Sequence, residues 1–160
     1  MNWDQITIVN RRLLLCFALA TIALVLSFYA ELVWKIEPCT LCKFQRIPLF
    51  IAIPVSLFCL FQKNKLYALA FLRMTFLILG ILASYHLMIQ FGFISDPCSV
   101  PKGIKTLDDF KNILNTPISC STIKWSLFGI PPSGYNLALA LFFIAILSIK
   151  PVETKRHLHA

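Results

Sequence analysis

The sequence predicts an all-α integral membrane protein: a four-transmembrane-helix antiparallel bundle with a short amphipathic helix in its second extracytoplasmic loop. Three observations carry this expectation. Of 160 residues, 58% are hydrophobic and only 14% charged, which exceeds what a soluble core requires. The apolar residues fall into four runs near the roughly 20 residues that a helix needs to cross about 30 Å of hydrocarbon. Between these runs, four of the six cysteines gather in two loops that such a bundle would place on one side. The length suits one domain, residues 1–160.

The first span is placed at about 13–34, behind Arg11 and Arg12 and with Glu31 near its far end. A cleavable signal peptide would have a shorter apolar region and a small-x-small cleavage site, which Ser27 to Lys35 does not offer. The second apolar run, Ile47 to Phe61, is too short to cross alone, so the span must reach back to Cys42 and cover 42–61. That places Arg46 in its first turn. Pro48 is tolerable near a helix start, and Pro54 is acceptable inside a membrane helix when neighbouring groups satisfy the freed carbonyl. The third run, Leu66 to Ile94, is longer than needed, so Arg73 snorkels to one headgroup layer and 74–94 crosses. The fourth span, 131–149, starts at Pro131 and Pro132, which suit a first helical turn, and ends at Lys150 and Pro151.

Four crossings put both termini on one side and the loops 35–42 and 95–130 on the other. Charge votes weakly. Arg11, Arg12, Lys63, Lys65, Lys150, Lys155 and Arg156 stand against Lys35, Lys43, Arg46, Lys102, Lys105, Lys111 and Lys124, although the first set is denser and poorer in acids. Cysteine placement is the better compass. Cys39, Cys42, Cys98 and Cys120 all lie in or beside the loops of the second side, and disulfides persist outside the cytosol, so the loops are expected to be extracytoplasmic and both termini cytoplasmic. Cys16 and Cys59 fall inside apolar spans, where a packing role is expected. The net charge of +8 is scattered over membrane-flanking positions, which anionic lipid headgroups explain and which excludes a dense nucleic-acid-binding face.

Cys39-Thr40-Leu41-Cys42 carries the chemistry. A Cys-x-x-Cys pair can be a redox dithiol or half of a zinc site. Zinc would need all four loop thiolates to converge, yet Cys98 and Cys120 are not a short knuckle, and an oxidising face favours disulfides; no metal is expected. A redox pair needs a thiolate near neutral pH, which a helix N-terminus and nearby cations favour. Cys42 opens the second helix, Lys43 follows it, and Arg46 lies one turn along on the same face. A dithiol at the lipid boundary suits a membrane-soluble two-electron acceptor such as a quinone. Ser84, Tyr85, His86 and Gln90 in the third span lie near the same face, and among them His86 is the best candidate for a ligand contact. Between Cys98 and Cys120, Thr106 to Thr116 reads as a short amphipathic helix with Leu107, Phe110, Ile113 and Leu114 on one stripe. A purely structural bond between these two cysteines would contribute about 3 kcal/mol on the chain-entropy model. Four cysteines allow three pairings, among them Cys39 with Cys120 and Cys42 with Cys98. The alternative functions are a non-catalytic, disulfide-stapled membrane scaffold or complex subunit, and a metal-binding membrane protein using the four thiolates.

The chain resembles the DsbB/BdbC family of membrane thiol oxidases. The likeness rests on Pro38-Cys39-Thr40-Leu41-Cys42-Lys43-Phe44-Gln45-Arg46, on Pro97-Cys98 and Cys120, on Trp125-Ser126-Leu127-Phe128-Gly129-Ile130-Pro131, and on a histidine in the third span. Gln45 stands where some relatives carry an acid. The resemblance implies a reoxidase in the bacterial cytoplasmic (inner) membrane for a soluble, thioredoxin-like disulfide donor, with electrons leaving through ubiquinone or menaquinone. Cys98 would form the mixed disulfide with that partner, Cys120 would be its loop companion, and Cys39 and Cys42 would receive the electrons. Arg46 and His86 would contact the quinone, Arg46 stabilising its reduced or charge-transfer form. The pairings implied are Cys39 with Cys42 and Cys98 with Cys120.

Overall fold

A computed structural model describes residues 3–62, 65–97, 119–123, 125, 126 and 128–149. Four helices account for most of them: α1 (Trp3–Leu32), α2 (Thr40–Phe61), α3 (Leu66–Gln90) and α4 (Pro132–Ser148), with no strand among the described residues. α1, α2 and α3 each hold a stretch long and apolar enough to cross a membrane. With its 17 residues, α4 rises only about 25 Å, close to the thickness of the hydrocarbon layer. The protein is therefore a helical membrane bundle. Cys98 and the expected amphipathic helix at Thr106 to Thr116 lie outside the described residues.

The helix ends follow local chemistry. α2 starts at Thr40 because Cys39 is its N-cap, and the Cys39 sulfur accepts from the Cys42 N–H at 3.4 Å. α3 stops at Gln90, short of the 94 at which the apolar run ends, because Gly92 adopts φ +78. The Gly92 N–H then donates to Ile89 O at 3.0 Å and the Phe93 N–H to Met88 O at 2.9 Å, the paired bonds of a Schellman stop. Pro131 caps α4 and Pro132 fills its first position, where a missing N–H leaves no partner wanting.

The helices pack in chain order, α1 on α2, α2 on α3 and α3 on α4, while α1 and α4 barely meet. Leu13, Ala20, Leu49, Ala52, Leu72, Phe76, Leu79, Phe143 and Leu147 fill the centre, together with Cys16 and Cys59. The Phe76 and Phe143 rings stand 4.5 Å apart. Next to them Gly80 lets α4 approach until the Cβ of Ala140 is 3.5 Å from where a side chain would begin, the close contact that small residues permit between membrane helices. The outward faces keep Phe58, Phe61, Tyr67, Met74 and Ile81 exposed, as expected where the solvent is lipid.

At the end away from Cys39 and Cys42, basic side chains tie the helices. Arg73 donates from Nε to the Leu147 carbonyl at 2.8 Å and from Nη2 to the same oxygen, and Arg12 Nη1 donates to Ile149 O at 2.5 Å. Cations here also complement the negative end of the α4 dipole. Lys65, buried, donates to Asn10 Oδ1 and to Leu60 O.

Candidate active site

The other end of the bundle holds the sulfur centre. Cys39 caps α2, Cys42 lies in its first turn, and their Sγ atoms are 3.0 Å apart, with Cys39 donating to Cys42. Cys120 comes in from the loop before α4 and is buried against Cys39, Ile89, Leu41, Cys42 and Ile94. The Cys39 sulfur, the Cys120 sulfur and a ring nitrogen of His86 all lie within 4.8 Å of one another. Three residues remote in the sequence thus form one junction. Asp96, just after α3, fixes the Cys120 loop by accepting from Ser119 Oγ at 2.5 Å and from the Ser121 N–H at 3.0 Å. Trp125 of the same loop meets Trp34 edge-on at 5.9 Å and closes over the end of α1.

Below the junction a cavity of about 660 Å³ reaches from Cys39 and Cys42 into the seam between α1 and α4. α1 lines it with Ile22, Leu26 and Ser27, and α4 with Tyr135, Asn136 and Phe142. This volume is in the usual range for a small-molecule site, and its walls are mostly apolar with few polar groups. Those polar groups cluster at the sulfur end.

Arg46 reaches this cavity from α2, but its guanidinium is held by α1: Nη1 pairs with Glu31 Oε2 at 2.5 Å, Nε donates to Ser27 Oγ at 2.9 Å, and Nη2 donates to Ser27 O at 3.3 Å. The Phe28 ring lies 4.6 Å below it, a favourable cation–π arrangement. His86 also lines the cavity, and its Nε2 lies 3.6 Å from the Cys39 sulfur. Gln90 lies beside His86, whereas Tyr85 points outward and is exposed. The structure therefore brings Cys39, Cys42, Cys120, Arg46 and His86 together; Cys98 lies outside the described residues.

Four further residues belong to the site that the sequence reading had not assigned to it: Glu31 and Ser27 hold Arg46, while Gln45 holds His86 and is itself held by Asn136. The signal for Asn136 was an amide inside an otherwise apolar helix, and for Gln45 its place one residue before Arg46.

Cys39 sits outside the spanning helices, and its thiol is pushed up to about 12, first by donating to Cys42 and then by burial, against a smaller opposing pull from His86. A raised thiol keeps its proton through neutral pH. In the reduced protein, alkylation of Cys39 by iodoacetamide is expected to rise about tenfold per pH unit from pH ~7 to ~10 without a plateau. In Cys42→Ala, which removes the largest cause, the curve is expected to move to lower pH. Mass spectrometry of the Cys39 peptide reads both, and a plateau near pH ~8 in the wild type would contradict the assignment.

The fold and site together define a helical membrane protein that gathers Cys39, Cys42, Cys120 and His86 at one end of its bundle. The chain belongs to the DsbB family: residues 10–149 match the family model described as disulfide bond formation protein DsbB. It is thus an oxidoreductase acting on disulfides. It is similar to "Uncharacterized protein RP370" of Rickettsia prowazekii (strain Madrid E), 30% identical over 164 residues covering 95% of this chain and 93% of the relative. No solved structure matches the chain.

Proposed function

We propose that the protein reoxidises a soluble, extracytoplasmic, thioredoxin-like disulfide donor and passes the electrons to a membrane quinone, ubiquinone or menaquinone, supporting disulfide formation in exported proteins. The observation that carries this reading is the cavity that begins at the Cys39–Cys42 sulfurs and opens into the lipid-facing seam between α1 and α4.

The steps balance as exchanges. A thiolate of the partner attacks Cys98 in a Cys98–Cys120 disulfide, forming a mixed disulfide and releasing Cys120 as a thiolate. The second partner thiol, as thiolate, then attacks the partner's sulfur in that mixed disulfide, and Cys98 leaves. Cys120, placed beside Cys39, attacks its Sγ; the Cys39–Cys42 bond breaks and the electron pair leaves on Cys42. Cys98 then attacks Cys120, freeing Cys39, and the Cys39–Cys42 dithiol holds the two electrons. Cys39, Cys42 and Arg46 would border a quinone in the cavity, whose chemistry would be to take up two electrons and two protons and so allow the disulfide to re-form. Arg46 offers a fixed guanidinium at that position, where charge-assisted hydrogen bonds are stronger than neutral ones. Residues 1–160 are read as one domain crossing the bacterial inner membrane four times, both termini cytoplasmic.

The test mixes purified protein, a reduced thioredoxin-like donor and a soluble quinone analogue and follows quinone reduction by absorbance. Turnover in the wild type, absent in Cys98→Ser and trapped as a mixed disulfide in Cys120→Ser, is expected. Disulfides that resist exchange with every such donor would replace this reading with the stapled scaffold.

A further inference from the structure

The hydrogen bonds around His86 determine where its single proton sits. Gln45 Nε2 faces two acceptors, the Leu82 carbonyl at 3.5 Å and His86 Nδ1 at 3.0 Å, while Gln45 Oε1 accepts from Asn136 Nδ2 at 2.7 Å. A carbonyl oxygen can only accept, so it fixes the amino side of the Gln45 amide toward α3. His86 Nδ1 must then accept, and a neutral imidazole accepting at Nδ1 carries its hydrogen on Nε2. Both residues are about 1% exposed, so no water competes.

Nε2 is the nitrogen that meets Cys39 Sγ at 3.6 Å and Gln90 Nε2 at 3.3 Å. Two N–H donors cannot face each other, and of the two amides Gln90 is the one that can exchange its ends: its other partner, Ser133 Oγ at 2.5 Å from Gln90 Oε1, accepts as readily as it donates, so Oε1 turns to His86 Nε2. The imidazole therefore turns an N–H, not a lone pair, toward Cys39. The Cys39 sulfur also receives the Cys42 N–H. Its own S–H donates to Cys42 Sγ, 3.0 Å away.

We propose that Gln45, clamped by Asn136, is a positioning residue that denies His86 the role of base toward Cys39, so that the one proton of the ionised dithiol stays on Cys39 and the negative charge stands on Cys42. The opposite tautomer would reverse this. A lone pair at Nε2 would take the Cys39 proton, giving an imidazolium beside a Cys39 thiolate, and Cys42, its donor lost, would take up a proton from solvent. Of the other charged groups near the pair, Arg46 is already engaged by Glu31 and follows Cys42 by one turn of α2, and Cys120 adds a titratable sulfur on the Cys39 side. The charge on Cys42 matters because that sulfur heads the helix bearing Arg46 and lines the cavity. The inference rests on the dithiol being redox-active but not on which acceptor drains it.

The test uses the full chain in lipid nanodiscs, reduced with dithiothreitol. Nitrogen-15 NMR of labelled histidine, with His157 and His159 replaced by glutamine, should show a pyridine-type Nδ1 and a pyrrole-type Nε2 for His86. Brief iodoacetamide labelling at pH ~7 should modify Cys42 over Cys39 by about tenfold or more, the order of effect one hydrogen bond supplies. Gln45→Glu presents only acceptors to Nδ1 and should move the hydrogen there and reverse the labelling preference. Adding His86→Phe should restore it, which a merely structural role for Gln45 would not produce. A pyrrole-type Nδ1 in the wild type, which needs no variant to fold, overturns the proposal. So does an unchanged preference in Gln45→Glu once its tautomer has shifted. A pair that dithiothreitol cannot reduce overturns the redox reading itself.

Discussion

Replacing Cys42 by serine is expected to lower electron delivery to the acceptor by about a thousandfold or more, the scale seen when one member of a catalytic unit is removed. The substitution leaves the start of α2 intact, because the cap is Cys39 and its sulfur accepts a backbone N–H that serine retains. The expected loss is therefore one of chemistry. A hydroxyl cannot close a disulfide with Cys39, so the electron pair arriving through Cys120 has no sulfur to leave on. Exchange at the partner-facing cysteines does not use Cys42, and mixed-disulfide formation with the donor is expected to survive. Quinone absorbance and non-reducing electrophoresis read the two halves separately. Residual turnover above a few per cent of wild type would mean that electrons leave from Cys39 or Cys120 directly.

The second large effect is expected at Arg46. Its guanidinium spends three hydrogen bonds on Ser27 and Glu31 and still borders the cavity. Arg46→Leu is expected to raise the KM for quinone about 10–100-fold, the equivalent of one hydrogen bond to a charged group. Glu31, a third exposed, can find water when its partner goes, so the stability cost should stay small. Arg46→Lys keeps the charge without the planar fork and should recover part of the loss. The control is Glu31→Gln, which removes the competing anion and leaves Arg46 in place; it is expected to leave KM unchanged or lower it. A Glu31→Gln variant as impaired as Arg46→Leu would show that Arg46 acts by fastening α1 to α2.

Much of the architecture was legible because lipid imposes length and apolarity on whatever spans it. The runs that became α1, α2 and α3 stand out in the chain, and the shortness of Ile47 to Phe61 drew the helix start back to the cysteines, where Cys39 caps it. The end of α3 was also written locally, in Gly92, but a reading keyed to apolar length passed over it and continued to Ile94. The proximity of Cys120 to Cys39 had no such local trace. It depends on how α3 and α4 bring their end loops together, and on Asp96 catching Ser119 and Ser121. His86 stood out as a titratable group in a span; its facing Cys39 depended on the two amides that hold it, and single polar residues in apolar helices do not reveal their partners. Arg46 and Glu31 were each noticed in the sequence, but helix packing was needed to pair them.

The near-absence of contact between α1 and α4 has a mechanical side. The two helices are joined by Arg12 and Ile149 at the end remote from the sulfurs, and Arg73 anchors the same tip of α4 to α3. Hydrogen-bonded at one tip and bridged at the other by the edge-on Trp34–Trp125 contact, the pair has the build of a clothes-peg. In the function proposed above, a flat ring too wide for the resting gap would be admitted by splaying the sulfur end, with the arginines as fulcrum. The hydrocarbon tail of such a guest would never have to leave the bilayer, so the protein would grip only the ring.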